Sequence, residues 1–209
     1  MKKILSLLTL LIVFSMTSLA QAAQTCIPNQ ENIPKNIDLQ KVRAAWLSWV
    51  NEERSKLKLT PYELNSQLNR TATIWSEQAK KKGKIDHKRP GQSTYYDFKK
   101  VNAWFATLGL KFKNIGGYTT SENIAWDYYK CADTTPDCTD AFLKAARRSF
   151  DFYMREKNKS YRPHYLSLTN SKFKEIGLGI SINPANKKFY LTAHYGTEIS
   201  NKPMLVCTK

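Results

Sequence analysis

The chain has 209 residues, with 33 Lys and Arg against 17 Asp and Glu, and a formal net charge of +16. At 42% hydrophobic and 24% charged residues it is neither disordered nor collagen-like, and its length suits one domain or two small ones. So positive a balance suits an anionic partner, whether nucleic acid, a membrane surface or an acidic polymer, and says nothing about fold.

The first 22 residues read as a secretory signal peptide. Met1-Lys2-Lys3 is a charged start, Ile4 to Phe14 is apolar, and Ala20-Gln21-Ala22 supplies small residues for cleavage. The apolar run is too short for a comfortable membrane span, no charged stop follows it, and no other stretch approaches span length. The expected product is a soluble exported protein, periplasmic or secreted. Residues 23–37, with Pro28 and Pro34, read as an extended lead-in.

Export makes disulfides the default for Cys26, Cys131, Cys138 and Cys207. Four cysteines allow three pairings. Cys131 and Cys138 flank the turn-rich Ala-Asp-Thr-Thr-Pro-Asp, which favours a local bridge and leaves Cys26 for Cys207. Closing that long loop would contribute on the order of 4–5 kcal/mol through chain entropy. The absence of any C-x-x-C pair argues against a cysteine zinc site.

From Asp38, the spacing of Val42, Ala45, Trp46, Trp49 and Val50 predicts a helix that fades near Leu57. Thr60-Pro61-Tyr62-Glu63 predicts the start of a second, with Thr60 as cap, Pro61 at the first position and Glu63 closing a capping box. Leu64, Leu68, Ala72, Trp75 and Ala79 form its apolar stripe, and Lys80-Lys81-Lys82-Gly83 ends it. Residues 84–93 are a basic loop containing His87. A short helix is expected within 94–109, a strand or irregular segment over 118–129, and a third long helix over 140–157. Ile176 to Ile182 and Lys188 to Tyr195 alternate around Asn183-Pro184-Ala185-Asn186 and predict a hairpin. This mixture predicts an α+β layered domain.

Few residues could carry chemistry. The histidines are His87, His164 and His194. Glu122 is a carboxylate within the small and apolar run Ser121-Glu122-Asn123-Ile124-Ala125-Trp126, and Glu156 closes Tyr153-Met154-Arg155-Glu156 near a helix end, where the dipole disfavours it.

These segments resemble the CAP superfamily, or SCP domain, of cysteine-rich secretory proteins, insect antigen 5 and plant pathogenesis-related 1 proteins, in its bacterial form. Val50-Asn51-Glu52-Glu53-Arg54 and Leu59 to Asn65 resemble the opening helix and the start of the second. Ser121 to Trp126 resembles the G-E-N-[IL]-A-W element. His164-Tyr165-Leu166-Ser167-Leu168 with Phe173 to Gly179 resembles the second histidine motif and its strand, and Tyr190 to Gly196 the closing strand. The resemblance implies a three-layer α-β-α sandwich with a central antiparallel sheet over 38–200, with 201–209 as a disulfide-tied tail. It implies a cleft tetrad of His87, Glu122, Glu156 and His164, with Tyr153 standing where the family carries Trp. In some members the two histidines bind zinc or another divalent ion, here His87 and His164. Ser121 departs from the family's Gly, and Tyr165 stands where bacterial members often carry Arg. His194 has no tetrad counterpart and is expected to be structural or at a rim.

Two imidazoles alone make a weak, exchangeable metal site, with the carboxylates as orienting partners. No nucleophile is evident, and Ser167 reads as a helix-side hydroxyl. The favoured function is therefore a binding module without turnover, taking a divalent ion and a lipid, glycan or peptide of the envelope or exterior, an anionic one included. One alternative is a metal-assisted hydrolase, protease- or esterase-like, with Glu122 or Glu156 as general base. Another is an electrostatic binder of an acidic polymer or anionic membrane. No specific nucleic-acid contact is expected, because most aromatics fall on core stripes. The cations Lys80 to Lys82, Lys88, Arg89, Lys157, Lys159 and Arg162 are expected around the cleft as a solvated basic rim.

Overall fold

The computed structural model describes residues 27–28, 33–91, 98–201 and 206–207. The predicted signal peptide, most of the expected lead-in and Cys26 lie outside the described residues.

Helix α1 spans Leu39–Lys56, and Asp38 caps it by accepting from the Gln40 and Lys41 amides at 3.0 Å each. Its apolar stripe is buried as predicted, with Val42, Trp46 and Val50 at 1% exposure or less. The second helix differs at its start. Glu63–Leu64 is a short strand, β2, and helix α2 runs Ser66–Lys82. Asn65, not Thr60, is the cap, accepting from the Gln67 and Leu68 amides at 2.8 and 3.1 Å. The amides of Glu63 and Asn65 instead bond to the carbonyls of Lys174 and Ile176, so long-range pairing overrides the local capping signals. The α2 C-terminus at Gly83, in the left-handed conformation, is as predicted.

Helix α3 spans Phe98–Thr107, strand β3 Thr120–Tyr128 and helix α4 Thr139–Met154. Helix α4 thus stops before Glu156, short of the expected end at Lys157. A short helix, α5, follows over Pro163–Thr169, with Pro163 in its first turn. Strands β4, Glu175–Asn183, and β5, Lys188–Gly196, form the predicted hairpin.

The sheet order is β2-β4-β5-β3. The three long strands are antiparallel as expected, while β2 joins β4 in parallel and makes that edge mixed. Helices α2 and α3 cover one face, and α1, α4 and α5 cover the other, giving the three-layer α-β-α sandwich. Helix α2 lies very close to the sheet because Gly177 and Gly179 have no side chain beneath it. A Cβ there would fall into the backbone of Leu68–Asn69 and of Ala72–Thr73. The larger core gathers Trp46, Tyr62, Phe142, Phe150, Tyr153 and Tyr195 with the apolar residues of β4 and β5. A smaller one gathers Leu68, Val101, Phe105 and Leu110.

Cys131 and Cys138 form the predicted local disulfide, with Cα atoms 5.8 Å apart. Ile27–Pro28 pairs in parallel with Val206–Cys207, so the backbone beside the two terminal cysteines meets. Among the described residues no helix is long and apolar enough to cross a membrane.

Candidate functional site

Successive side chains on a strand point to opposite faces. On β3, Glu122 faces α2 and α3, where its register partner His194 of β5 also points. Ser121 and Asn123 face α5. The Ser121 hydroxyl meets the Ser167 hydroxyl at 2.6 Å, and the Asn123 amide donates to the His164 carbonyl at 3.1 Å and to the Tyr195 hydroxyl at 3.2 Å. The edge strand β3 therefore carries the site on both sides.

The first half is sealed. The Glu122 side chain has no exposed surface. Its Oε1 accepts from His87 Nδ1 at 2.9 Å and Arg89 Nη1 at 3.1 Å, and its Oε2 from Arg89 Nη2 at 2.6 Å and His194 Nε2 at 2.7 Å. These four bonds use the four lone-pair sites of a carboxylate. Arg89 is itself buried, its guanidinium 3.5 Å from the Trp75 ring centre and 4.4 Å from that of Trp104. Arg89 is thus a counter-ion inside the protein and not part of a solvated rim.

Burial alone would raise the Glu122 pKa. The Arg89 guanidinium, with His194 and His87, outweighs burial and holds it well below the usual carboxylate range. Burial lowers His194, although Glu122 opposes the shift, and the neutral ring bonds Glu122 through Nε2 and Thr71 Oγ1 through Nδ1 at 2.9 Å. His194 is fully buried and so does not stand at a rim.

The second half is more open. His164 Nδ1 meets Glu156 Oε1 at 2.6 Å, and the His164 amide donates to Glu156 Oε2 at 2.9 Å. The His164 side chain is 24% exposed. Glu156 lies just past the end of α4, where the turn before α5 folds His164 back onto it. Glu53 of α1 holds that turn, accepting from Lys157 Nζ at 2.6 Å and the Tyr165 hydroxyl at 3.0 Å. Lys157, placed by sequence in the basic rim, is therefore paired with a buried acid.

The structure forms two separate pairs, His87–Glu122 and His164–Glu156. Tyr153 joins them. Its ring stacks on His164 at 4.8 Å and 12°, and its buried phenol is pushed up by burial and by the charge of both carboxylates. Its hydroxyl has no hydrogen-bond partner among the described residues. Sequence reasoning missed the roles of Arg89, Tyr153 and Glu53. The one available signal was Arg89 standing two residues after His87.

The donor set bears on metal binding. In both histidines Nδ1 is taken by a carboxylate, an arrangement that orients an imidazole toward a metal. Glu122 has no acceptor capacity left. No group of three or more His, Cys, Asp or Glu able to hold a metal occurs among the described residues. The two pairs offer at most one imidazole each as a ligand. A groove of about 120 Å³ lined by Trp49, Glu53, Arg147 and Phe150 contains none of the tetrad.

An α-β-α sandwich with two carboxylate–imidazole pairs across its edge strand defines the class of protein. The family model of the cysteine-rich secretory protein family, CAP, matches residues 47–195. The chain belongs to that family. Among solved structures it is similar to an outer surface protein from Borrelia burgdorferi, at 16% identity and a TM-score of 0.51, covering 79% of this chain and 98% of that one. It is also similar to BmVAL-1, at 13% identity and a TM-score of 0.50, covering 87% and 84%. An SCP-domain extracellular protein from Bacillus anthracis is 19% identical with a TM-score of 0.49, covering 76% of this chain and 41% of that protein. At these identities the likeness is one of fold. No curated protein matches the sequence.

Proposed function

We propose that this is an exported binding module whose cleft, at the edge of β3, takes an envelope or extracellular ligand without turning it over. The observation that carries this is the commitment of Glu122. A general base needs a free lone pair facing substrate or water, and all four of its sites are taken by His87, Arg89 and His194. The serines do not supply a nucleophile either. Ser121 bonds Ser167, and Ser167 donates to the Pro163 carbonyl at 3.0 Å. Glu156, the other candidate base, accepts from the His164 ring and amide and from the Tyr165 amide at 3.4 Å, so these contacts together disfavour the hydrolase reading.

A divalent ion such as zinc would be held by His87 and His164, weakly, and would supply a positive charge for an anionic ligand group. The ligand meets the His164 half, where Phe152 and Leu166 are 55% and 53% exposed and the Phe152 ring lies 6.0 Å from His164. Apolar surface beside an imidazole–carboxylate pair suits an amphiphilic ligand, lipid, glycan or peptide. Export rests on the N-terminal 22 residues and on a family described as secretory.

Calorimetric titration of the purified protein with zinc should show weak binding that disappears in the His87→Ala/His164→Ala variant while the fold persists by circular dichroism. Unchanged binding would remove the metal assignment. A peptide and ester library should show no turnover; turnover abolished by His164→Ala would establish the hydrolase instead.

A further inference from the structure

Trp126 and Tyr128 are two residues apart on β3 and share a face. They stand opposite Tyr190 and Lys188 of β5, so the four side chains form one patch. Helix α2 covers β4 and β5 on this side, but Trp126 and Tyr128 remain 47% and 44% exposed. The two rings meet edge-on, with centres 5.9 Å apart and planes at 90°. Lys188 Nζ lies 4.4 Å from the Trp126 centre and 4.9 Å from that of Tyr190, and donates to the Gly83 carbonyl at 3.2 Å. Its ammonium pairs with no carboxylate among the described residues. Arg148 borders the same corner, with Nη2 on the Tyr128 carbonyl at 2.7 Å and Nε on Asp127 at 2.8 Å.

A lone exposed aromatic needs no explanation, but two in contact with each other, one of them carrying a cation with no carboxylate partner among the described residues, make a built surface. Contact with the rings holds the ammonium in place, so less entropy is lost when an anion meets it. The rings offer apolar faces beside that charge. We propose that Trp126, Tyr128 and Lys188 form a platform for an acidic saccharide, whose sugar ring packs by its C–H face on the aromatics while its carboxylate or sulfate meets Lys188. Charge complementarity selects the anion. The perpendicular rings select sugar over single-stranded nucleic acid, because successive bases need roughly parallel faces to stack on. The platform stands apart from the His164–Glu156 cleft and does not depend on it.

The probes are a heparin-derived hexasaccharide, the neutral cellohexaose and an oligothymidylate, read by tryptophan fluorescence and calorimetry at about 0.15 M salt. The acidic hexasaccharide should bind and the other two should not. Trp126→Ala and Lys188→Ala should each weaken binding about tenfold or more without changing the melting temperature. The control Lys58→Ala and the His87→Ala/His164→Ala variant should bind as the parent does, which separates this site from the cleft. Absence of hexasaccharide binding, preference for the oligothymidylate, indifference to Trp126→Ala, or an equal loss in Lys58→Ala would each overturn the proposal.

Discussion

A buried guanidinium is stable only when its charge and its planar N–H fork are both answered. For Arg89 the carboxylate of Glu122 takes the fork and the faces of Trp75 and Trp104 take the plane. Removing either partner strands the other in a buried site. Arg89→Met and Glu122→Gln should each cost about 3–5 kcal/mol in chemical denaturation. The double variant should lose clearly less than the two losses added together, because neither charge is then left alone. Strict additivity would show that the two side chains do not act as a pair. Only half of this pair was legible in sequence. Glu122 stands out as an acid in an apolar run, whereas Arg89 looks like every other cation in a basic loop. Its burial is set by two tryptophans from distant helices, which no local pattern records.

Elements follow the same division between local and long-range causes. The core stripes of α1 and α2 and the β4–β5 hairpin were readable because period and turn chemistry are local. The start of α2 was misread because Thr60-Pro61-Tyr62-Glu63 carries local capping chemistry that the fold does not use. Strand pairing with Lys174 to Ile176 claims the backbone there, and Asn65 caps instead. The contrast is measurable. Asn65→Ala should destabilise by about 1 kcal/mol, a typical loss for an N-cap. Thr60→Ala, at an exposed position, should change stability by less than about 0.5 kcal/mol. Equal effects at the two positions would contradict the assigned helix start. The short helix α5 was read from sequence only in the helix-side hydroxyl of Ser167, because seven residues, about two turns, give too little periodicity to bound it.

For the whole molecule, the charge of +16 separates into cations with internal tasks and cations on the surface. Arg54 is an internal one, spanning from α1 to the carbonyls of Thr60, Leu168 and Asn170. The buried His194–Glu122 pair, unlike Arg54 on its carbonyls, makes the fold sensitive to acid. Neutral His194 titrates below its ordinary 6.5 because of burial, so the unfolded chain takes up a proton there that the folded chain resists. Glu122, held below its ordinary 4.5, acts in the same direction at lower pH. Both contributions are complete above the unfolded-state values and are lost as pH falls. Glu175, raised by burial, opposes them weakly just above 4.5, where the folded chain takes up its proton first. The melting temperature should therefore decline as pH drops below about 6.5 and more steeply below about 4.5. Repulsion among surface cations adds to the decline but is screened by salt, whereas the buried His194 contribution is not. Calorimetry across this range at high salt should retain the upper limb in the parent and lose it in His194→Gln, whatever the variant's absolute stability. A limb that persists in His194→Gln would assign it to another group.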